Sequence, residues 1–150
     1  MVIREWRRKG EAHPTRSESG PKFAANAQPM SNAKKKIKIL VVDDHPVVRK
    51  GLCSCLASRA HLKVVGEAAD GEEAIRKVAE LAPDLVLMDI YMPQLDGLAV
   101  TERLGKEAPQ VKVLILSMHS DRDCVMRIIK AGARGYVLKD APPDELVRAI

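Results

Sequence analysis

The sequence has few aromatic residues and no long apolar run. Its aromatic side chains are Trp6, Phe23, Tyr91 and Tyr136. No segment approaches the roughly 20 consecutive apolar residues that a membrane-spanning helix needs. The basic residues near the N-terminus are followed by polar ones, which is unlike a secretory signal. These absences exclude a transmembrane helix, and we expect a cytoplasmic protein without a membrane partner.

Cysteine is also scarce, because the chain contains only Cys53, Cys55 and Cys124. The number is odd, no two cysteines are separated by two residues, and no histidine follows at zinc-finger spacing. A disulfide-stabilised scaffold or a structural zinc site is therefore not expected, and a reducing compartment is the default.

The formal net charge of +5 is concentrated at one end of the chain. Residues 1–36 contain nine basic and three acidic side chains, whereas residues 37–150 contain 16 basic and 17 acidic ones. The N-terminal part is rich in Ser, Pro, Gly and Asn, without a sustained period. We interpret residues 1–36 as a basic, disordered extension. Residues 37–150 are nearly neutral, so their charge does not favour direct binding to nucleic acid.

From residue 37 onward, short apolar runs alternate with segments of helical periodicity. Such runs are typical of strands that are buried on both faces of a parallel sheet. Five are present: Ile37–Val42, Leu62–Val65, Asp84–Met88, Val111–Leu116 and Gly135–Leu138. Helix starts are indicated at Pro46, Asp70 with Glu73, Asp96-Gly97, Ser120 with Asp123, and Pro142-Pro143. The alternation predicts an α/β fold, a three-layer sandwich around a five-stranded parallel sheet.

Polar side chains follow the predicted strands at the edge where ligands bind in such sheets. Asp43 and Asp44 follow the first run, Asp89 the third, Ser117 the fourth and Lys139 the fifth. A single aspartate in such a place is more often a helix cap, and Asp44 could cap the first helix. Five such residues at four strand ends are harder to explain as caps.

Three carboxylates at one edge repel one another, and a divalent cation relieves that repulsion. Oxygen ligands in an open cleft favour Mg²⁺ over Zn²⁺. A carboxylate beside Mg²⁺ is a nucleophile toward phosphorus, while Lys139 and Ser117 can bind the phosphoryl oxygens. The sequence therefore predicts a magnesium-dependent site that forms an aspartyl phosphate.

These segments resemble the receiver domain of two-component response regulators, in particular the NarL/FixJ (LuxR-type) branch. The resemblance covers about residues 37–150. It is carried by the segments Val41-Val42-Asp43-Asp44-His45-Pro46, Leu87–Pro93 with Asp96-Gly97, Leu116-Ser117 and Gly135–Lys139. It implies the flavodoxin-like strand order 2-1-3-4-5 and a signalling phosphoacceptor that promotes only its own phosphorylation and dephosphorylation.

The resemblance also implies a role for each matched residue. Asp89 would accept a phosphoryl group from a sensor histidine kinase. Asp43, Asp44, Asp89 and the backbone carbonyl of Tyr91 would hold Mg²⁺. Lys139 would pair with the phosphoryl group, and Ser117 and Tyr136 would form the switch. Without the resemblance, the sequence leaves it equally open that Tyr136 is an aromatic residue at the edge of the core with a hydrated hydroxyl.

The resemblance further implies a possible homodimer, and DNA binding only through a C-terminal helix-turn-helix domain that the sequence lacks. The segment Glu145–Ile150 is amphipathic without a terminating signal, so the fifth helix is interpreted as truncated. An excised receiver and a single-domain regulator are both compatible with that ending.

One local feature departs from this interpretation, and two other protein classes compete with it. Many receivers have proline after the conserved lysine, where this chain has Asp140. A phosphatase of the haloacid dehalogenase type also uses an aspartate nucleophile with Mg²⁺, but it requires Asp-x-Asp, and Tyr91 occupies the second aspartate position. A flavodoxin-like FMN protein would have a hydroxyl- and glycine-rich loop where Asp43-Asp44 stands. His45 is interpreted as a helix-start residue rather than as a metal ligand.

Overall fold

The protein forms five strands and five helices in strict alternation. The structure, a computed structural model, describes residues 35–119 and 121–150, so the predicted extension lies outside the described residues except for Lys35 and Lys36. The elements are β1 (Ile37–Val42), α1 (Pro46–Ala57), β2 (Leu62–Ala68), α2 (Gly71–Leu81), β3 (Leu85–Asp89), α3 (Gly97–Glu107), β4 (Lys112–Ser117), α4 (Arg122–Lys130), β5 (Gly135–Leu138) and α5 (Pro143–Ala149). Across the described ranges, no helix is long and apolar enough to cross a membrane.

The five strands form one parallel sheet in the order β2-β1-β3-β4-β5. The predicted fold class and strand order are therefore confirmed. Four consecutive residues of β1 and all five of β3 are buried, as the continuous apolar runs predict for strands covered on both faces. The edge strand β2 continues to Ala68, three residues beyond its predicted end, and its register shifts between Val64 and Gly66.

Alternate side chains of each central strand enter two separate cores. In β1, Leu40 and Val42 belong to the core that α2, α3 and α4 cover. Ile39 and Val41 belong to the other core, together with side chains from α1 and α5. The period of two along a strand therefore distributes one apolar run between both layers of helices.

Aspartate side chains cap three of the helices. Asp70 accepts a hydrogen bond from the N–H of Glu73 at 2.7 Å, and Asp96 accepts one from Ala99 at 2.8 Å, as predicted. The cap of α4 is Asp121, whose carboxylate accepts from Cys124 at 3.0 Å. The predicted cap, Ser120, lies outside the described residues, and the cap is thus one residue later than expected.

The first helix begins differently from the alternative considered above. Its N-cap is His45, which makes no side-chain capping hydrogen bond, and Pro46 occupies the first helical position. Asp44 as the cap of α1 is therefore wrong, which leaves its carboxylate free for another role. The peptide bond between Lys139 and Asp140 is trans.

Gly97 is required by a close approach of two backbone segments. Its N–H donates to the carbonyl of Ile90 at 2.8 Å, which draws the start of α3 against the end of β3. A Cβ atom at this position would lie 2.0 Å from the carbonyl oxygen of Asp89, far inside contact distance. Because the obstacle is backbone, a side chain here would have to displace Asp89 itself.

We expect Gly97→Ala to destabilise the protein by about 1–3 kcal/mol, since neither backbone segment can yield without breaking its own hydrogen bonds. Urea unfolding of the full chain measures this change. The matched control is Gly105→Ala in the same helix, where a Cβ meets nothing within 4 Å. That control should stabilise the protein by about 0.5–1 kcal/mol through helix propensity. Equal stability of the two variants would contradict this account.

Candidate functional site

The carboxyl ends of β1, β3 and β5 bring two aspartates and a lysine into direct contact. Asp43 follows β1, Asp89 is the last residue of β3, and Lys139 follows β5. The Nζ atom of Lys139 lies 2.9 Å from Oδ2 of Asp43 and 2.9 Å from Oδ2 of Asp89. One ammonium group therefore bridges two carboxylates that are distant in the sequence.

Both bridged carboxylates are buried, and each has backbone partners. Asp43 is fully buried; its Oδ1 accepts from the N–H of His45 at 2.8 Å. Asp89 is 3% exposed, and its Oδ1 lies 3.4 Å from the N–H of Tyr91. Burial of charge is unfavourable unless the charge is paired. The lysine therefore provides the compensation that allows both carboxylates to remain at the sheet edge.

Asp43, Asp44 and Asp89 together form a cluster of carboxylates, the acidic group. The hydrogen bonding of Asp44 is less complete than that of the other two. Its side chain is about one-quarter exposed, yet its Oδ1 is buried without a hydrogen bond of acceptable geometry. The Nδ1 atom of His45 lies 2.7 Å from that oxygen, so the contact is close but poorly directed. Potential ligand atoms of Asp43, Asp44, His45 and Asp89 all lie within 4.8 Å of one another.

This set of donors fits a hard divalent cation. Three of the four groups are carboxylates, and Asp44 presents an oxygen that lacks a well-aligned protein partner. Carboxylate oxygens in small number suit Mg²⁺, which keeps part of its water shell. His45 is the N-cap residue of α1, at the helix start as predicted, and its imidazole contacts the carboxylate of the adjacent Asp44.

The electrostatics of the site follow from burial and from the lysine. Burial raises the pKa of Asp89, and the carboxylate of Asp43 raises it further, against the opposing effect of Lys139. Burial alone would lower the pKa of Lys139, but its hydrogen bonds to Asp43 and Asp89 outweigh that effect and raise it. Lys139 therefore stays an ammonium group, and any additional cation nearby would stabilise the ionised form of Asp89.

Ser117 and Tyr136 lie near this edge but make other contacts. Ser117 is fully buried at the end of β4, and its hydroxyl exchanges two hydrogen bonds with the backbone of His119, both 2.9 Å long. Its oxygen also lies 3.8 Å from the sulfur of Cys124. Tyr136 is 6% exposed and belongs to the core beneath α4. The structure thus holds the hydroxyl of Ser117 against His119.

Tyr91 lies at the rim of the site. Its side chain is exposed, and its ring packs edge to face on the imidazole of His119, with 5.7 Å between ring centroids. This contact joins the loop after β3 to the loop after β4, which follow Asp89 and Ser117 respectively.

Two residues that shape the site received no role from the sequence. Gly97 was interpreted as part of a helix start and of the family resemblance, without a role of its own, although its missing side chain lets α3 approach the carbonyl of Asp89. Arg49 donates from Nη1 to the carbonyl oxygen of Asp43 at 2.6 Å. A glycine after a capping aspartate and an arginine in the first turn of a helix are common patterns, so neither gave a signal.

Comparison with known proteins agrees with this geometry. The response regulator receiver domain family matches residues 39–150. The chain is 45% identical over 112 residues to the uncharacterized transcriptional regulatory protein YhcZ of Bacillus subtilis, covering 75% of this chain and 52% of that protein. The chain thus spans about half the length of this curated relative.

Two solved structures are similar in fold. The signal receiver domain of the putative response regulator NarL from Mycobacterium tuberculosis superposes with a TM-score of 0.74 at 35% identity, covering 77% of this chain and 93% of that one. A chain of the CheX-CheY-BeF3-Mg+2 complex from Borrelia burgdorferi superposes with a TM-score of 0.72 at 25% identity, covering 77% of this chain and 87% of that one. Similarity to a transcriptional regulatory protein and to a NarL receiver domain, together with the family match over residues 39–150, leads to one conclusion: the chain belongs to the response regulator receiver domain family.

Proposed function

We propose that this receiver accepts a phosphoryl group on Asp89 from the phosphohistidine of a sensor histidine kinase, with Mg²⁺ as cofactor. The observation that carries the proposal is the bridge from Lys139 to Asp43 and Asp89, beside the unsatisfied oxygen of Asp44. A nucleophilic carboxylate, an acidic group for a cation and a fixed ammonium group are the components that phosphoryl transfer requires.

In the transfer, an oxygen of Asp89 attacks the phosphorus, and a new O–P bond forms as the N–P bond of the phosphohistidine breaks. The electron pair of that bond remains on the imidazole nitrogen of the kinase, which takes up a proton. The ammonium of Lys139, already 2.9 Å from Asp89, is placed to pair with an oxygen of the transferred group. Hydrolysis of the acyl phosphate by water returns the carboxylate.

Asp43, Asp44, Asp89 and the backbone carbonyl of Tyr91 would hold the cation. Mg²⁺ when bound neutralises negative charge on the phosphoryl oxygens and on the crowded carboxylates. The CheX-CheY-BeF3-Mg+2 complex supports this assignment, because it contains magnesium and a beryllofluoride group together with a domain of the same fold. His45 contributes to the shape of the acidic group through its contact with Asp44.

We further propose that Ser117 and Tyr136 form the switch. A phosphoryl group adds up to two negative charges and three acceptor oxygens beside β4. Ser117 would exchange its hydrogen bonds with His119 for one to the phosphoryl group, and the adjoining core around Tyr136 would repack. The free energy gained from the new charge-assisted hydrogen bonds needs only to exceed a gap of a few kcal/mol between two existing conformational states.

The altered surface would act on partners. We propose homodimerisation and control of DNA binding by a C-terminal helix-turn-helix domain as its outputs, since the relative YhcZ is a transcriptional regulatory protein about twice as long as the matched segment. The activity of this chain would then be limited to its own phosphorylation and dephosphorylation.

Incubation with acetyl phosphate and Mg²⁺ should add a single phosphoryl group, read by intact mass. Asp89→Asn should add none, because the amide is not a nucleophile, and removal of Mg²⁺ should slow labelling about 100-fold or more. The control Asp123→Asn changes an exposed aspartate in the first turn of α4 and should label normally. Full labelling of Asp89→Asn would exclude Asp89 as the acceptor.

Lys139→Met should slow phosphorylation about 100-fold, because Lys139 is the basic side chain that pairs with Asp89 within the described residues. The same variant should bind Mg²⁺ at least as tightly as the original protein, since Nζ no longer competes for the oxygens of Asp43 and Asp89. Calorimetric titration with Mg²⁺ and the labelling rate separate the two effects. Lys112→Met, at the opposite end of the sheet, is the control and should change neither. A normal labelling rate in Lys139→Met would contradict the role given to Lys139.

Beryllofluoride with Mg²⁺ should shift the NMR signals of the Tyr136 ring, and Ser117→Ala should lose most of that shift while still binding the ligand. The physical reason is that the hydroxyl of Ser117 connects the phosphoryl position to the core beneath α4. Ser58→Ala removes an exposed hydroxyl at the end of α1 and should leave the shift unchanged. An undiminished Tyr136 shift in Ser117→Ala would show that the switch does not pass through Ser117.

A further inference from the structure

Arg49, in the first turn of α1, connects the end of β1 to the edge strand β2. Its Nη1 donates to the carbonyl oxygen of Asp43 at 2.6 Å, and its Nε lies 3.2 Å from Oε2 of Glu67. The side chain is 17% exposed, so most of it is packed against the protein. Both contacts are made by one planar guanidinium group, whose rigid fork fixes two acceptors relative to each other.

The carbonyl of Asp43 lies at the point where β1 ends and the acidic group begins. The N–H of Asp43 still pairs with Ala68 on β2, at 3.2 Å, and its carboxylate is held by His45 and Lys139. The carbonyl lies beyond the last ladder position of β1, and Arg49 is the partner that the structure gives it. Since Asp43 is fully buried, water cannot replace that donor without rearrangement.

The peptide that Arg49 contacts joins the two aspartates proposed to bind Mg²⁺. Rotation of the Asp43–Asp44 peptide would turn the carboxylate of Asp44 away from Asp89. The direction of this peptide therefore controls how well the acidic group can surround a cation, whereas the nucleophile Asp89 is anchored separately on β3.

We propose that Arg49 is a positioning residue for the metal site, acting through the carbonyl of Asp43 and itself held by Glu67. The inference rests on the proposed function, because it assumes that the acidic group binds Mg²⁺. It differs from a purely structural role for Arg49 in joining α1 to β2. A structural role predicts lower stability alone, whereas a positioning role predicts weaker metal binding with little change in the chemical step.

The test is calorimetric titration of the full chain with Mg²⁺ alone, together with acetyl phosphate labelling at saturating Mg²⁺. Arg49→Met should raise the dissociation constant for Mg²⁺ about tenfold, the usual effect of removing an outer partner of a metal ligand. The labelling rate at saturating Mg²⁺ should fall by no more than about twofold, because Asp89 and Lys139 keep their contacts.

Two further variants change Glu67, the carboxylate that pairs with Arg49. Glu67→Gln should weaken Mg²⁺ binding in the same direction but by less, since Arg49 keeps its bond to Asp43. Adding Glu67→Gln to Arg49→Met should have no further effect, because the two residues act in one chain of contacts. Arg59→Met is the matched control: Arg59 pairs with Asp144 at 2.6 Å, away from the acidic group, and its loss should leave Mg²⁺ binding unchanged.

The inference is overturned if Arg49→Met binds Mg²⁺ as the original protein does, or if labelling at saturating Mg²⁺ falls as far as binding. If Arg49→Met does not fold, Arg49→Lys and Glu67→Gln decide in its place, and unchanged Mg²⁺ affinity in both overturns the inference. Failure of the unsubstituted protein to bind Mg²⁺ and be labelled contradicts the proposed function as well. If the unsubstituted protein binds Mg²⁺ and is labelled, and the Arg49 variants bind Mg²⁺ with the same affinity, only this inference is contradicted.

Discussion

The ammonium group of Lys139 between two buried carboxylates is the interaction on which the site depends. Asp43 and Asp89 lie on neighbouring strands at the same sheet edge, where their charges repel each other and water is largely excluded. Without Lys139, burial and the charge of Asp43 would raise the pKa of Asp89 further. The ammonium group of Lys139, 2.9 Å from each carboxylate, opposes this effect and favours the ionised form of Asp89.

Charge compensation of this kind also gives the site its capacity for change. A single ammonium group cannot satisfy four carboxylate oxygens, and Asp44 adds two more nearby. An additional cation would therefore be favourable, and under the proposed function a phosphoryl group would offer new acceptors to the same lysine.

Under the proposed function, the residues around the site divide into those that would place the acceptor Asp89 and those that would respond to its phosphorylation. Gly97 lets α3 pack against the carbonyl of Asp89, and Arg49 holds the carbonyl of Asp43, so backbone contacts fix both aspartates. Ser117 would belong to the responding residues, and its hydroxyl is hydrogen-bonded to the backbone of His119 in the loop after β4.

The sequence alone determined the alternation of strands and helices, the parallel sheet, and the edge at which Asp43, Asp44, Asp89, Ser117 and Lys139 lie. These features follow from periodicity and strand ends, which are local properties of the chain, and from a family resemblance. Only the tertiary structure decided that Lys139 contacts two carboxylates at once, that Ser117 bonds to His119, that Asp44 caps no helix, and that Gly97 and Arg49 fix the backbone of the acidic residues. The contacts of Lys139 join segments far apart in sequence. The others are made within loops and helix starts, and their geometry depends on how the helices pack against the sheet, which no local pattern encodes.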